Sequence, residues 1–197
     1  IQLLAVPDFE TDAGAEPVLP ADLVEATTGS YLAEDLNSKL GESVVSYRRG
    51  ETGPERVLLL GAGKASDLDA ETLRRWAGHA VRAAESIGVG AVGVYLGGLG
   101  GIDVETASQA VTEGAVLASW RFTEMRRLDA DAPPEVTEFT VMAEAEHVDE
   151  AGLGALAGQA IGRAANFTRT LQSRPGNVAT PTHLAEEATR MAGERGL

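Results

Sequence analysis

Residues Glu55 to Leu96, "ERVLLLGAGKASDLDAETLRRWAGHAVRAAESIGVGAVGVYL", contain a complete change of hydrophobic period and back again. "RVLLLG" (Arg56 to Gly61) is an unbroken apolar run bounded by turn residues, the pattern of a central strand covered on both faces. Asp67 and Asp69 then offer helix-capping oxygens, and Leu73, Trp76, Ala77, Ala80, Val81 and Ala84 follow at i, i+3, i+4, i+7, i+8 and i+11, one stripe of an amphipathic helix. "GAVGVYL" (Gly90 to Leu96) returns to a buried strand. The segment therefore reads as a βαβ unit with parallel strands and a right-handed crossover.

Moving outward, the same alternation of periods persists. "IQLLAV" (Ile1 to Val6) and "SVVSYR" (Ser43 to Arg48) read as strands, and "SYLAEDLNSKLG" (Ser30 to Gly41) between them as a helix with Leu32, Leu36 and Leu40 four apart. After a Gly-rich turn, Gly97 to Gly101, a second helix places Val104, Ala107, Val111, Ala118 and Phe122 on one face. "VTEFTVMA" (Val136 to Ala143) is a fifth strand behind a Pro-Pro loop, where paired prolines favour extended backbone. A long helix from near Asp149 carries Leu153, Leu156, Ala157, Ala160, Ile161, Ala164, Phe167 and Leu171 as its apolar stripe and ends at Pro175 and Gly176. A last helix has Thr180 as its cap, Pro181 at its first position, and Leu184, Ala188 and Met191 as its inward side.

Composition narrows the function. The chain has 197 residues, enough for one main domain plus an appendage, and 16 Lys and Arg against 30 Asp and Glu give a net charge of −14. Nucleic acid is not expected as a partner, because that affinity comes from cations neutralising phosphates. No cysteine is present, which removes disulfides and thiolate chemistry. No apolar run reaches the roughly 18 residues of a membrane span, and the first residues are too short and acidic an apolar run for a secretion signal. A cytoplasmic protein without membrane contact is the expectation.

Motifs for chemistry are sparse. "LLLGAGKAS" runs a strand into Gly61, Gly63 and Lys64, but its spacing matches neither G-x-G-x-x-G nor G-x-x-x-x-G-K-[ST], and Asp67 and Asp69 put negative charge where a phosphate would sit. It reads as a strand-to-helix turn, as does "YLGGLGG" (Tyr95 to Gly101). His79, His147 and His183, the only histidines, form no metal-ligand spacing, and all three are expected at the surface. "AEAEHVDEAG" (Ala143 to Gly152) reads as a solvated charge run at a helix start.

One stretch is more ordered than turn and cap chemistry requires. In "NFTRTLQSRPGNVATPTHLAEEATR" (Asn166 to Arg190), the residues Asn166, Arg169, Leu171, Pro175, Asn177, Thr180 and Pro181 resemble the N-x-x-R-x-L-x-x-x-P-x-N-x-x-T-P segment of the leucyl aminopeptidase family, the two-metal cytosol aminopeptidases. "ERVLLLGAGK" (Glu55 to Lys64) resembles that family's strand and glycine turn. "EGAVLASWRFTEMRR" (Glu113 to Arg127) resembles its E-G-x-x-L-x-x-Y-x-F helix, with Trp120 in the aromatic place. The three patches occur in the family's order; the first 54 residues match only in general pattern.

The resemblance implies an α/β fold: a three-layer, macro-domain-like sheet with helices on both faces, followed by a long linker helix. It divides the chain into an amino-terminal domain over 1–147, a linker helix over 148–175 and, over 176–197, the start of a catalytic domain lying beyond this chain. In such enzymes two divalent metals, zinc or manganese, activate water for attack on the first peptide bond of a peptide substrate. The family's ligand motifs, N-T-D-A-E-G-R and K-G-I-x-x-D-x-G-G, do not occur here. No catalytic, cofactor-binding or metal residue is therefore assigned, and the chain is expected to be a silent part of a longer, hexameric homo-oligomer. The alternative is a free-standing macro-like domain binding ADP-ribose or a related nucleotide through the Gly61–Lys64 and Gly97–Gly101 loops. A dinucleotide oxidoreductase is disfavoured by the missing fingerprint.

Overall fold

The structure, a computed structural model, describes residues 1–11, 14–17, 38–47, 53–97, 99–125 and 134–196. Its strands are β1 (Leu3–Thr11), β2 (Gly14–Pro17), β3 (Ser43–Tyr47), β4 (Arg56–Lys64), β5 (Ala91–Tyr95) and β6 (Glu138–Met142). The helices are α1 (Ala70–Ser86), α2 (Val104–Ala118), α3 (Val148–Ser173) and α4 (Pro181–Arg195). The expected helix over Ser30 to Gly41 falls largely outside the described residues, and with it the second helical layer.

The sheet runs β3-β4-β1-β5-β6, with β2 added to the far half of β1. β1 is parallel to both β4 and β5, and β5 to β6, while β3 lies antiparallel on β4. The expected βαβ unit is present with one correction: β4 and β5 are not neighbours, because β1 lies between them and α1 crosses over it. Single-sequence periodicity identifies strands, but the partner of each is a long-range choice.

β1 also runs past the expected end at Val6. Pro7 is tolerated because β5 pairs only with Leu3, Leu4 and Ala5, so one ladder has already gone when the missing N–H arrives. Beyond it the register with β4 shifts between Asp8 and Phe9, leaving Ala62 as an extra residue, and Gly63 adopts a φ of 82°. β2, with weak strand formers, escapes a pattern search and is held by its antiparallel register, from Asp8 opposite Pro17 to Thr11 opposite Gly14.

β4 is buried on both faces as its sequence requires. Leu58, Leu60 and Ala62 join Leu3, Ala5 and Phe9 of β1 under α1 and α2, while Val57 and Leu59 pack with Leu4 and Val6 on the opposite face. All six residues of the α1 stripe are buried, and the Trp76 indole N–H donates to the Leu60 carbonyl at 2.9 Å, which satisfies its polar edge inside the core. The cap is Asp69, whose carboxylate accepts from the Thr72 N–H at 2.7 Å; Asp67 belongs to a short 3-10 turn before it.

α3 departs most from expectation. Its buried residues are Ala151, Gly154, Gly158 and Gly162, whereas Leu153, Leu156 and Ile161 are 59%, 67% and 44% exposed. A Cβ at Gly154 would overlap the Glu105 carbonyl of α2, one at Gly158 the Gln109 carbonyl, and one at Gly162 would lie 2.8 Å from Val116 Cγ1. α2 approaches α1 in the same way, with Gly114 against the Arg74 carbonyl. Three helices are thus stacked through backbone-to-backbone contact that only glycine permits. Close approach, not hydrophobicity, chose the inward face of α3. In α4, Leu184 and Met191 are likewise exposed, at 44% and 42%, rather than inward.

Candidate functional site

The residues carrying the family resemblance converge where α2 ends. A helix leaves its last four carbonyls without internal partners, and here each has one. Ser119 serves Ala115 through its N–H at 3.0 Å and its hydroxyl at 2.8 Å. Asn166 Nδ2 donates to Val116 O at 2.8 Å, Arg169 Nη1 to Leu117 O at 2.9 Å, and Arg121 Nη1 to Ala118 O at 2.6 Å. Two guanidiniums at the negative end of the α2 dipole add electrostatic attraction.

Trp120 completes this junction. Its ring lies beneath the Arg169 guanidinium, 4.1 Å from centroid to Cζ, and its Nε1 donates to Thr170 Oγ1 at 3.0 Å. Arg169 also donates to Asn166 Oδ1 at 3.0 Å, so one turn of α3 grips the end of α2 as a unit. Phe122, expected on the α2 face, lies beyond the helix, which stops at Ala118.

A second cluster fixes the turn from α3 to α4. Arg174 precedes a proline and is extended, with ψ 138°, as the pyrrolidine ring demands. From there it forks onto Glu124 through Nε at 2.8 Å and Nη2 at 2.7 Å, and Nη1 reaches His183 Nε2 at 2.6 Å and Glu187 at 3.3 Å. The His183 contact requires the neutral ring with Nε2 accepting. Arg190 braces Glu187 from the other side at 2.6 Å. Pro175 accepts from the Val178 and Ala179 N–H groups, and the Thr180 hydroxyl accepts from the His183 N–H at 3.2 Å, the expected cap.

These contacts set the charges. Hydrogen bonds from Arg174 hold the Glu124 carboxyl below the ordinary glutamate range, and Arg190, then Arg174, do the same for Glu187. Arg174 is pushed further up, first by Glu124. Nothing in the sequence pattern signals this cluster, since Glu124 and Arg174 stand 50 residues apart.

The remaining sequence features fall elsewhere. β4 continues through Lys64, and the Gly63 N–H is spent on the Ser38 carbonyl at 2.6 Å, so that turn offers no free glycine amide at this position to an anion. The Gly97–Gly101 turn lies beside a cavity of about 330 Å³ with His147 at its edge; Gly98 is outside the described residues. Two of the three histidines correct the surface expectation. His79 is half-buried with its ring against Gly41, and His183 is drawn into the Arg174 cluster; His147 stands at the position before α3 without a side-chain capping bond and meets Glu150 at 3.0 Å. Among the described residues no group of three or more His, Asp or Glu side chains is placed so that it could hold a metal ion.

Comparison with known proteins agrees with this geometry. The family model described as "Cytosol aminopeptidase family, N-terminal domain" matches residues 10–128. The chain is 36% identical over 159 residues to a probable cytosol aminopeptidase of Roseiflexus castenholzii, covering 80% of this chain and 33% of that protein. It is 32% identical over 199 residues to a probable cytosol aminopeptidase of Syntrophotalea carbinolica, covering 99% and 40%. Among solved structures, the bottromycin maturation enzyme BotP superposes with a TM-score of 0.74 at 22% identity, covering 100% of this chain and 38% of that one. A tomato leucine aminopeptidase mutant gives 0.72 at 22%, covering 98% and 39%; at this identity the likeness is one of fold. The chain spans about a third of the length of the Roseiflexus relative and of a further one from Alkaliphilus oremlandii. With the sheet, the close-packed α2 and the matched residues in agreement, the chain belongs to the cytosol aminopeptidase family, whose N-terminal domain it carries.

Proposed function

We propose that this chain is the non-catalytic amino-terminal part of a two-metal aminopeptidase that removes N-terminal amino acids from peptides in the cytoplasm. Its role is to set the position of the following domain and so to serve oligomer assembly and active-site access. The observation that carries this reading is the grip of Asn166, Arg169 and Trp120 on the end of α2, which anchors the helix leading out of the domain. On this reading 1–147 is the domain, 148–175 the linker and 176–197 the beginning of the next unit. Against the macro-domain alternative, the Gly63 N–H of one of its two loops is already spent on the Ser38 carbonyl, and against a dinucleotide enzyme the fingerprint is missing from the sequence.

Zinc or manganese, implied by the family resemblance, does not fit the described residues. No trio of donors able to hold a metal ion occurs among the described residues, and Glu124 and Glu187, which meet with His183 at Arg174, are already committed to Arg174 and Arg190. The metals are assigned to the remainder of the parent protein, where they would lower the pKa of a bound water. No chemical step is carried by this chain.

The test is made on the full-length protein. It should hydrolyse leucyl amides with zinc or manganese bound, whereas the 197-residue chain should not. Light scattering should give a hexamer. Arg169→Ala should remove the α2 cap and the ring contact, destabilising the domain by about 1–3 kcal/mol and lowering the hexamer fraction. A full-length protein inactive on every aminoacyl amide would overturn the enzymatic reading, and an active monomer the assembly role.

A further inference from the structure

Within a chain of net charge −14, α1 presents a local surplus of positive charge toward α2. Arg75, His79 and Arg82 follow at i, i+4 and i+7 and line a cavity of about 300 Å³ whose floor is Gly78, Gly114 and Leu117. The cavity exists because both helices place a glycine at the crossing: Gly114 sits on the Arg74 carbonyl, and a Cβ at Gly78 would reach to 3.7 Å from Ala118 Cβ. Arg74, also on the rim, is taken up by Glu71 and by Glu113 at 3.0 Å. Arg75 and Arg82 have no carboxylate partner among the described residues. The imidazole between them lies against Gly41, whose missing Cβ leaves room for the ring, with Cε1 2.9 Å from the point a Cβ would occupy.

The geometry points to this cleft as a binding site for a small doubly charged oxyanion, inorganic phosphate or a small phosphate monoester, held between Arg75 and Arg82 with His79 at its base. Guanidiniums present forked donors that match phosphate oxygens, and two with no counter-charge beside a concave backbone floor make a site that an anion completes. Burial first, and then Arg82 and Arg75, hold His79 below the ordinary histidine range. The volume leaves space for a monoester, and the acidic exterior opposes a polyanion. Glu71 faces the same cleft and is kept from opposing the ligand by Arg74. The binding groups of the site, Arg75, His79 and Arg82, take no part in the peptidase reading, although Leu117 of its floor is the residue whose carbonyl Arg169 caps.

The experiment titrates the 197-residue chain with inorganic phosphate, and separately with glycerol phosphate, at ionic strength held constant with sodium chloride. Binding is followed by calorimetry and by the NMR signals of the Arg75 and Arg82 side chains and the His79 ring. Saturable shifts confined to these groups are expected, with Arg75→Gln/Arg82→Gln weakening binding about tenfold or more. Arg75→Lys/Arg82→Lys should keep part of the affinity, and Arg163→Gln on the exposed side of α3 all of it. Stronger binding of the ester than of phosphate assigns the site to esters, and the reverse to the free ion. Trp76 fluorescence confirms that each variant is folded. Shifts that do not saturate, that spread equally to Arg163, or that survive the double glutamine variant would overturn the site.

Discussion

Asp8 sits in β1 at 1% exposure, with Ser38 Oγ donating to one carboxylate oxygen at 3.1 Å and the other oxygen without a partner among the described residues. Burial pushes this carboxyl above the ordinary aspartate range, against which the Ser38 hydrogen bond works only in part. A carboxyl whose folded pKa is raised costs stability once the pH exceeds its unfolded pKa, because the unfolded chain ionises first. Asp8→Asn removes that titration. The stability difference between variant and wild type, from urea unfolding, should therefore move in favour of the variant as pH rises from about 4 to 7. A difference independent of pH would show that the carboxyl is not desolvated. The same residue explains a limit of sequence reading: "IQLLAVPDF" places an aspartate after a proline, the usual signature of a turn, and only pairing with β4 and β2 keeps it in a strand.

At the scale of elements, α3 shows how packing geometry overrides a hydrophobic stripe. Its apolar residues form a legible periodic pattern, yet Leu153 and Leu156 face outward, since the glycine seam lets the α2 and α3 backbones meet over about three turns, from Ala151 to Gly162. Gly158→Val tests this. The added side chain meets the Gln109 carbonyl and the Glu113 N–H, neither of which can rotate away, so destabilisation of about 1–3 kcal/mol is expected in chemical denaturation. Leu153→Ala, on the exposed side of the same helix, should change stability by less than about 0.5 kcal/mol. An equal effect of the two would refute the seam. The buried face of α1, by contrast, could be read from its sequence, because Leu73, Trp76 and Val81, with alanines between them, are all buried in the core.

For the whole molecule, the question is what fixes the last helix relative to the domain. The clamp of Arg174 on Glu124, His183 and Glu187 joins the turn that follows α2, the end of α3 and the first turns of α4. Both carboxyls have depressed folded pKa values, so their contribution is complete above the ordinary glutamate range and is lost as the pH falls through the folded values. Acid below about pH 4 should therefore free α4 before the sheet unfolds. Hydrogen exchange should show it as lost protection confined to 175–196, and Arg174→Ala should reproduce that loss at neutral pH. Simultaneous loss across α1 and the sheet would mean that the clamp is not a separate unit.

The sequence by itself determined the α/β class, the core strand β4, the α1 stripe, the Thr180–Pro181 cap and the family, because each depends on neighbours within a turn or on residue types in fixed order. Tertiary structure alone decided that β1 separates β4 from β5, that glycines and not leucines bury α3, and that Arg174 meets Glu124. Those outcomes depend on which surfaces can approach most closely across long loops, a three-dimensional fit that local period and propensity do not encode.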